Sequence, residues 1–156
     1  MSRFTRGILV AVAGSSLVLA ACANDGNDAD ISQAAGTPSD PRTIELTRRD
    51  IEYDPKAVTV AQGETVRFVF TNEGQLPHEA TVGDLAEQEE HEAEMAEMGD
   101  MAMSEDHDEE TPKVSVEPGA TGEIVTSFYE AGETIIGCHE SGHWDAGMRI
   151  DVTVVE

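Results

Sequence analysis

Gly137-Cys138-His139-Glu140-Ser141-Gly142-His143-Trp144-Asp145-Ala146-Gly147-Met148 runs directly into Arg149-Ile150-Asp151-Val152-Thr153-Val154-Val155, and this junction decides what kind of fold the chain makes. In its second half, Ile150, Val152 and Val154 alternate with Asp151 and Thr153, the period-2 pattern of a strand with one face buried. Met148 shares their parity and so points to the same side. Just upstream, Glu133 to Cys138 is another β-type run, and Cys138 shares the parity of Ile136. A loop that carries a thiol, an imidazole and a thioether is therefore held between two strands.

Working outward, the same pattern recurs. Thr43-Ile44-Glu45-Leu46-Thr47 alternates, Ala57 to Val60 ends at the turn Gln62-Gly63, and Thr65 to Phe70 puts Val66, Phe68 and Phe70 on one face. In His78-Glu79-Ala80-Thr81-Val82, His78 has the parity of Ala80 and Val82. Lys113 to Val116 and Ile124 to Phe128 flank the turn Pro118-Gly119. About eight short strands with Gly and Pro punctuation predict an all-β sandwich. Parity places His78, Cys138 and Met148 inward at strand ends, toward one end of the core.

Residues 84–112 break the pattern. This acidic insertion holds His91, His107, Met95, Met98, Met101 and Met103, and no Lys or Arg occurs between Arg67 and Lys113. Leu85 to Met98 consists of helix formers, but apolar residues are sparse and like charges crowd it. The expectation is a partly helical, mobile insertion between two strands. His91, Met95, Met98, Met101 and Met103 form a candidate weak Cu(I) site; the alternative is a solvated charge run that tolerates Met.

The chain has 156 residues, enough for one modest domain, with 32 acidic against 9 basic residues and a formal charge of −23. That charge excludes nucleic acid as a partner, because phosphate binding needs a basic footprint. Arg3 and Arg6, the apolar run Ile8 to Leu19 and small residues before Cys22 have the layout of an export signal. Leu19-Ala20-Ala21-Cys22 resembles the lipobox of bacterial lipoproteins, which implies cleavage before Cys22 and lipidation of its thiol; an ordinary signal peptide is the alternative. Residues 1–22 are thus expected to be a signal peptide, 23–42 a flexible tether of Asn, Asp, Gly, Ala, Ser and Pro, and 43–156 the folded domain. The exported protein would be lipid-anchored to the extracytoplasmic or periplasmic face of a bacterial membrane. Cys138 is the one other cysteine, and an unpaired thiol outside the cytoplasm calls for an explanation such as metal ligation.

Thiolate, imidazole and thioether donors together suit a soft, redox-active metal, and copper above all. The spacing Cys138-x4-His143-x4-Met148 resembles the copper loop of the cupredoxins, the blue copper proteins related to plastocyanin and azurin. In that family a further His stands at the start of an earlier strand after a short polar turn, and Asn72-Glu73-Gly74-Gln75-Leu76-Pro77-His78 fits that slot. The resemblance covers about 43–156 apart from the insertion. It implies a Greek-key β-sandwich and one type 1 copper held by His78, Cys138, His143 and Met148. It also implies a one-electron carrier in the cell envelope with a redox partner protein. The Met-rich insertion favours the alternative of copper handling, meaning sequestration, delivery or resistance, with a copper donor or acceptor as partner.

Three departures stand out. Many family members have Asn after the first ligand His to tie the two ligand loops together, whereas this chain has Glu79. Trp144 could shield His143, serve a partner, or simply pack on the loop. Cys138-His139-x3-His143 also matches part of the multicopper oxidase signature, but those enzymes carry a His where Gly137 stands. The five histidines of this chain are too few for their trinuclear cluster. His139 is accordingly expected at the surface, the alternative being a residue that assists transient metal capture. With neither a second metal nor an open coordination position in view, the expectation is a protein that is not an enzyme.

Overall fold

The computed structural model describes residues 28–29, 34–98 and 111–156. The signal peptide with Cys22, residues 23–27 and 30–33 of the tether, Met101, Met103 and His107 lie outside the described residues.

The strands are β1 (Asp28–Ala29), β2 (Arg42–Arg49), β3 (Glu52–Asp54), β4 (Ala57–Ala61), β5 (Thr65–Asn72), β6 (His78–Gly83), β7 (Lys113–Val116), β8 (Thr121–Ser127), β9 (Gly132–Gly137) and β10 (Arg149–Val155), with helix α1 (Leu85–Met98) between β6 and β7. They form two sheets, ordered β1-β4-β10-β9-β6-β7 and β3-β2-β5-β8. This is the sandwich the alternation predicts. Ile150, Val152 and Val154 of β10 are buried while Asp151 and Thr153 are exposed, and Ile44 and Leu46 of β2 are buried in the same way. Val66, Phe68 and Phe70 of β5 meet them in the middle, with the Phe128 ring edge-on to Phe68 at 6.1 Å. Burying such side chains is worth roughly 1.5–3 kcal/mol each, which makes this stripe the main source of stability.

Three sequence expectations need correction. Order begins before Thr43: Arg42 opens β2 and is buried against Glu64, with Nη2 3.1 Å from Oε2. Glu64 also accepts hydrogen bonds from the backbone of Gly36 and Ala61, at 3.1 and 2.8 Å. The paired charges need a dry, fully bonded site, and residues 34–42 supply part of it. Second, the short strand β3 went unseen, because three residues carry too little alternation to register.

Third, the described part of the insertion is helical as expected, but Leu85–Met98 is docked on the sheet rather than loose. Asp84 caps it by accepting from the N–H groups of Ala86 (2.8 Å) and Glu87 (3.0 Å), and the Glu87 carboxylate returns to the Asp84 N–H at 2.7 Å. That reciprocal capping box fixes the helix start. Its docking side is polar, which is why apolar periodicity did not reveal it. The buried Gln88 Nε2 donates to Thr81 O at 2.9 Å and Ile135 O at 3.1 Å, tying α1 to β6 and β9. As a result β6 is buried on both faces.

Candidate metal centre

Three elements bring the donors together at one end of the sandwich. Asn72, at the end of β5, organises the turn that leads to His78. Its Nδ2 donates to Leu76 O (2.8 Å) and Val116 O (2.9 Å), and its Oδ1 accepts from the Gly74 N–H at 2.9 Å. His78 then opens β6 with its side chain facing inward, as parity requires. Cys138 follows the last residue of β9. The Cys138 N–H donates to Met148 O at 3.1 Å and the Met148 N–H to His143 O at 3.0 Å, closing the loop beside the β9–β10 pairing.

His78, Cys138, His143 and Met148 are all buried. The Cys138 Sγ lies 3.4 Å from His143 Nδ1 and 3.9 Å from His78 Nδ1. One donor atom from each of these three residues falls within 4.8 Å of the others, and no other group of His, Cys, Asp and Glu does so among the described residues. The two imidazole rings are 5.1 Å apart.

Electrostatics prepares the imidazoles for a metal. Burial, then the neighbouring His143, then Arg48 push the His78 pKa down to about 4. Burial also lowers that of His143. Both rings are therefore neutral ligands at neutral pH. Burial pushes the Cys138 thiol up to about 11, against the pull of the backbone N–H groups of Glu140 and Glu79, so its deprotonation awaits a cation. Those two N–H groups aim at the sulfur. The Glu79 N–H thus links the two ligand segments through the backbone, where the family's Asn does so by its side chain. Two neutral imidazoles and a thiol with Nδ1 and Sγ converging in a dry pocket, beside a buried thioether, fit a soft ion such as copper.

On the outer face of the same segments lies a second cluster. Glu79 Oε1 is 2.9 Å from His91 Nε2 and accepts from Thr81 Oγ1 at 2.6 Å. Burial works to raise the Glu79 pKa, but the bonds from His91 and Thr81 outweigh it and hold the carboxylate below its usual range. His139 sits between Gln88 Oε1 (2.7 Å from Nε2) and Glu92 Oε2 (2.8 Å from Nδ1). The expectation of a surface His139 is thus corrected: the residue is 2% exposed, covered by α1 and by the Trp144 ring stacked on it at 5.0 Å. Trp144 packs on His139, and the Arg149 guanidinium lies over the Trp144 ring at 5.8 Å from its centroid. Gly137 is needed here, since a Cβ would come within 2.3 Å of Gln88 Oε1 and 2.9 Å of the Trp144 ring.

The structure brings the donor atoms of His78, Cys138 and His143 together, buries Met148 at the end of the same loop with backbone bonds to Cys138 and His143, and does not bring His91 to them. His91 and Met95 lie one turn apart on α1, but His91 Nε2 is engaged by Glu79. Met98 ends the helix. Sequence reasoning also missed Arg48, which lies fully buried on β2 and donates from Nη1 to His78 O at 3.0 Å. The signal was available: Arg48 continues the inward parity of Ile44 and Leu46.

A β-sandwich with a His–Cys–His cluster at one end and a thioether on the same loop defines a class, and comparison agrees. The chain belongs to the cupredoxin-like family, whose domain model matches residues 10–98, a span that includes His78. It is 35% identical to the copper-resistant cuproprotein CopI of Pseudomonas aeruginosa, over 78% of this chain and 83% of that one. It is 37% identical to the protein of the same name from Rubrivivax gelatinosus, over 80% and 76%. Among solved structures it resembles the auracyanin of Roseiflexus castenholzii, with a TM-score of 0.64 and 21% identity over 73% of this chain and 97% of that one. An azurin from Methylomonas sp. strain J gives a TM-score of 0.61 at 15% identity, over 74% and 98%.

Proposed function

We propose that this protein binds one copper ion through His78, Cys138, His143 and Met148 and handles it outside the cytoplasm, by sequestering it or passing it on. The carrying observation is the buried convergence of the two Nδ1 atoms on Sγ. The choice of handling over electron transfer is supported by similarity to cuproproteins named for copper resistance. When bound, copper would supply a one-electron couple between Cu(I) and Cu(II). The chain's own part is to exclude water, to present neutral imidazoles, and to hold the thiol sulfur under two backbone N–H groups. No catalytic role is proposed. The N-terminal segment up to Cys22 would export and lipid-anchor the protein, and a copper donor or acceptor would be its partner. Met95, Met98, Met101 and Met103, with His91, remain the proposed auxiliary Cu(I) ligands.

The second reading, a one-electron carrier with a redox partner protein, is favoured by the donor set being assembled in a rigid core, which limits reorganisation between oxidation states. Two measurements separate them. A handler surrenders Cu(I) to a competing chelator, and its deletion lowers tolerance to excess copper. A carrier keeps its copper through repeated oxidation and reduction, and its deletion leaves tolerance unchanged.

A further inference from the structure

Arg48 is the anomaly of the core. Among the described residues Arg42, Arg49, Lys56, Arg67 and Arg149 each have a carboxylate ion-pair partner, and Arg48, more buried than any of them, has none. Its guanidinium lies 4.2 Å above the Phe70 ring and 5.5 Å from that of Tyr53. Nη1 donates to His78 O at 3.0 Å, while Nε and Nη2 are buried without a hydrogen-bond partner. A guanidinium does not give up its proton in a protein, so a full positive charge sits in the core beside the donor cluster. Such a charge is costly unless another compensates it. The groups placed to do so are Cys138, once it is a thiolate, and Glu79, both of which act electrostatically on Arg48.

We propose that Arg48 is a positioning residue that sets the charge selectivity of the metal centre, favouring a monovalent ion over a divalent one in the His78–Cys138–His143 cluster. This rests on the reading of the cluster as a copper site. With one thiolate and two neutral imidazoles, a monovalent ion makes the centre neutral, and a fixed cation beside it is indifferent. A divalent ion leaves the centre with one net positive charge, which the guanidinium opposes in a medium of low dielectric. Arg48 therefore biases the site toward Cu(I) and against both Cu(II) and Zn(II), adding to the preference of soft ligands for Cu(I) over Cu(II) and supplying a discrimination against Zn(II) that thiolate softness alone does not give.

The test uses the full-length protein with Arg48→Met, Arg48→Gln and Arg48→Lys. Removing an unpaired buried cation relieves a desolvation cost, so the neutral variants should fold, and Arg48→Gln can still donate to His78 O. Two quantities are read: the midpoint potential of the copper-loaded protein, and the ratio of Cu(I) to Zn(II) affinity from chelator competition. The neutral variants should shift both toward the divalent ion by about tenfold, a drop of about 59 mV for the one-electron couple. Arg48→Lys should keep most of the parent's preference. Neutral variants with unchanged potential and ratio would overturn the proposal, as would Arg48→Lys shifting as far as they do, which would mark a shape effect. If the parent itself binds no copper through Cys138, the site reading fails and the proposal with it; a parent that binds while the variants stay level sinks the Arg48 proposal alone.

Discussion

Two clusters share the same few residues of backbone and have opposite chemistry. His78 and Cys138 face the interior, where their donor atoms converge and His78 Nε2 has no partner. Their immediate neighbours Glu79 and His139 face the other way and are bonded to α1 through His91, Gln88 and Glu92. The inner cluster is poised for an external ion; the outer one is satisfied within the chain. Alternation along a strand sorts them, so one segment both presents a metal site and fastens the helix that covers its back. Separate substitutions should break one cluster and leave the other standing.

The largest effect on the outer cluster should come from Gln88→Leu. It strips a donor from the buried Thr81 O and the half-buried Ile135 O and an acceptor from the buried His139, so a loss of about 3 kcal/mol is expected. Denaturant unfolding measures the loss, and hydrogen exchange should show α1 amides losing protection. Retention of the parent's α1 protection would mean that the clamp does not hold the helix.

The inner cluster should be seen in the pH dependence of the metal-free protein. The His78 pKa falls from 6.5 to about 4 on folding, so the unfolded chain takes up the proton first and stability declines as pH drops from 6.5 toward 4. The Cys138 pKa rises from 9.0 to about 11, so stability also declines as pH climbs from 9 toward 11. A plateau between about 6.5 and 9, with a loss on the order of 2 kcal/mol on each flank, is expected from urea midpoints. Cys138→Ser should remove the part of the alkaline loss that begins near pH 9, leaving the part above pH 10 that comes from burial of the Tyr53 hydroxyl. A smaller effect, about 1 kcal/mol, is expected for Asp84→Ala, which removes the cap of α1; metal affinity should not change.

What the sequence disclosed follows the same division. Period-2 alternation located most strands and the inward direction of His78, Cys138 and Met148, because burial on one face of a strand leaves a direct mark on residue type. The docking of α1 left no such mark. Gln88 and Glu92 carried no signal and His91 stood only as a candidate Cu(I) ligand or part of a solvated charge run, since polar groups that bond across 47 or 51 residues have no local period. His139 looked exposed for the same reason: its cover comes from a distant segment. Arg42 and Glu64 were hidden by distance too, and their pairing moved the start of the ordered chain upstream of Thr43.

The central claim is that Cys138 and the two imidazoles form one copper site. The most direct measurement is the visible spectrum of the copper(II)-loaded protein beside that of Cys138→Ser. An intense thiolate-to-copper charge-transfer band in the parent, absent from the variant while the outer cluster and α1 keep their hydrogen-exchange protection, is the predicted result. A parent without that band, or a variant that retains it, would contradict the account.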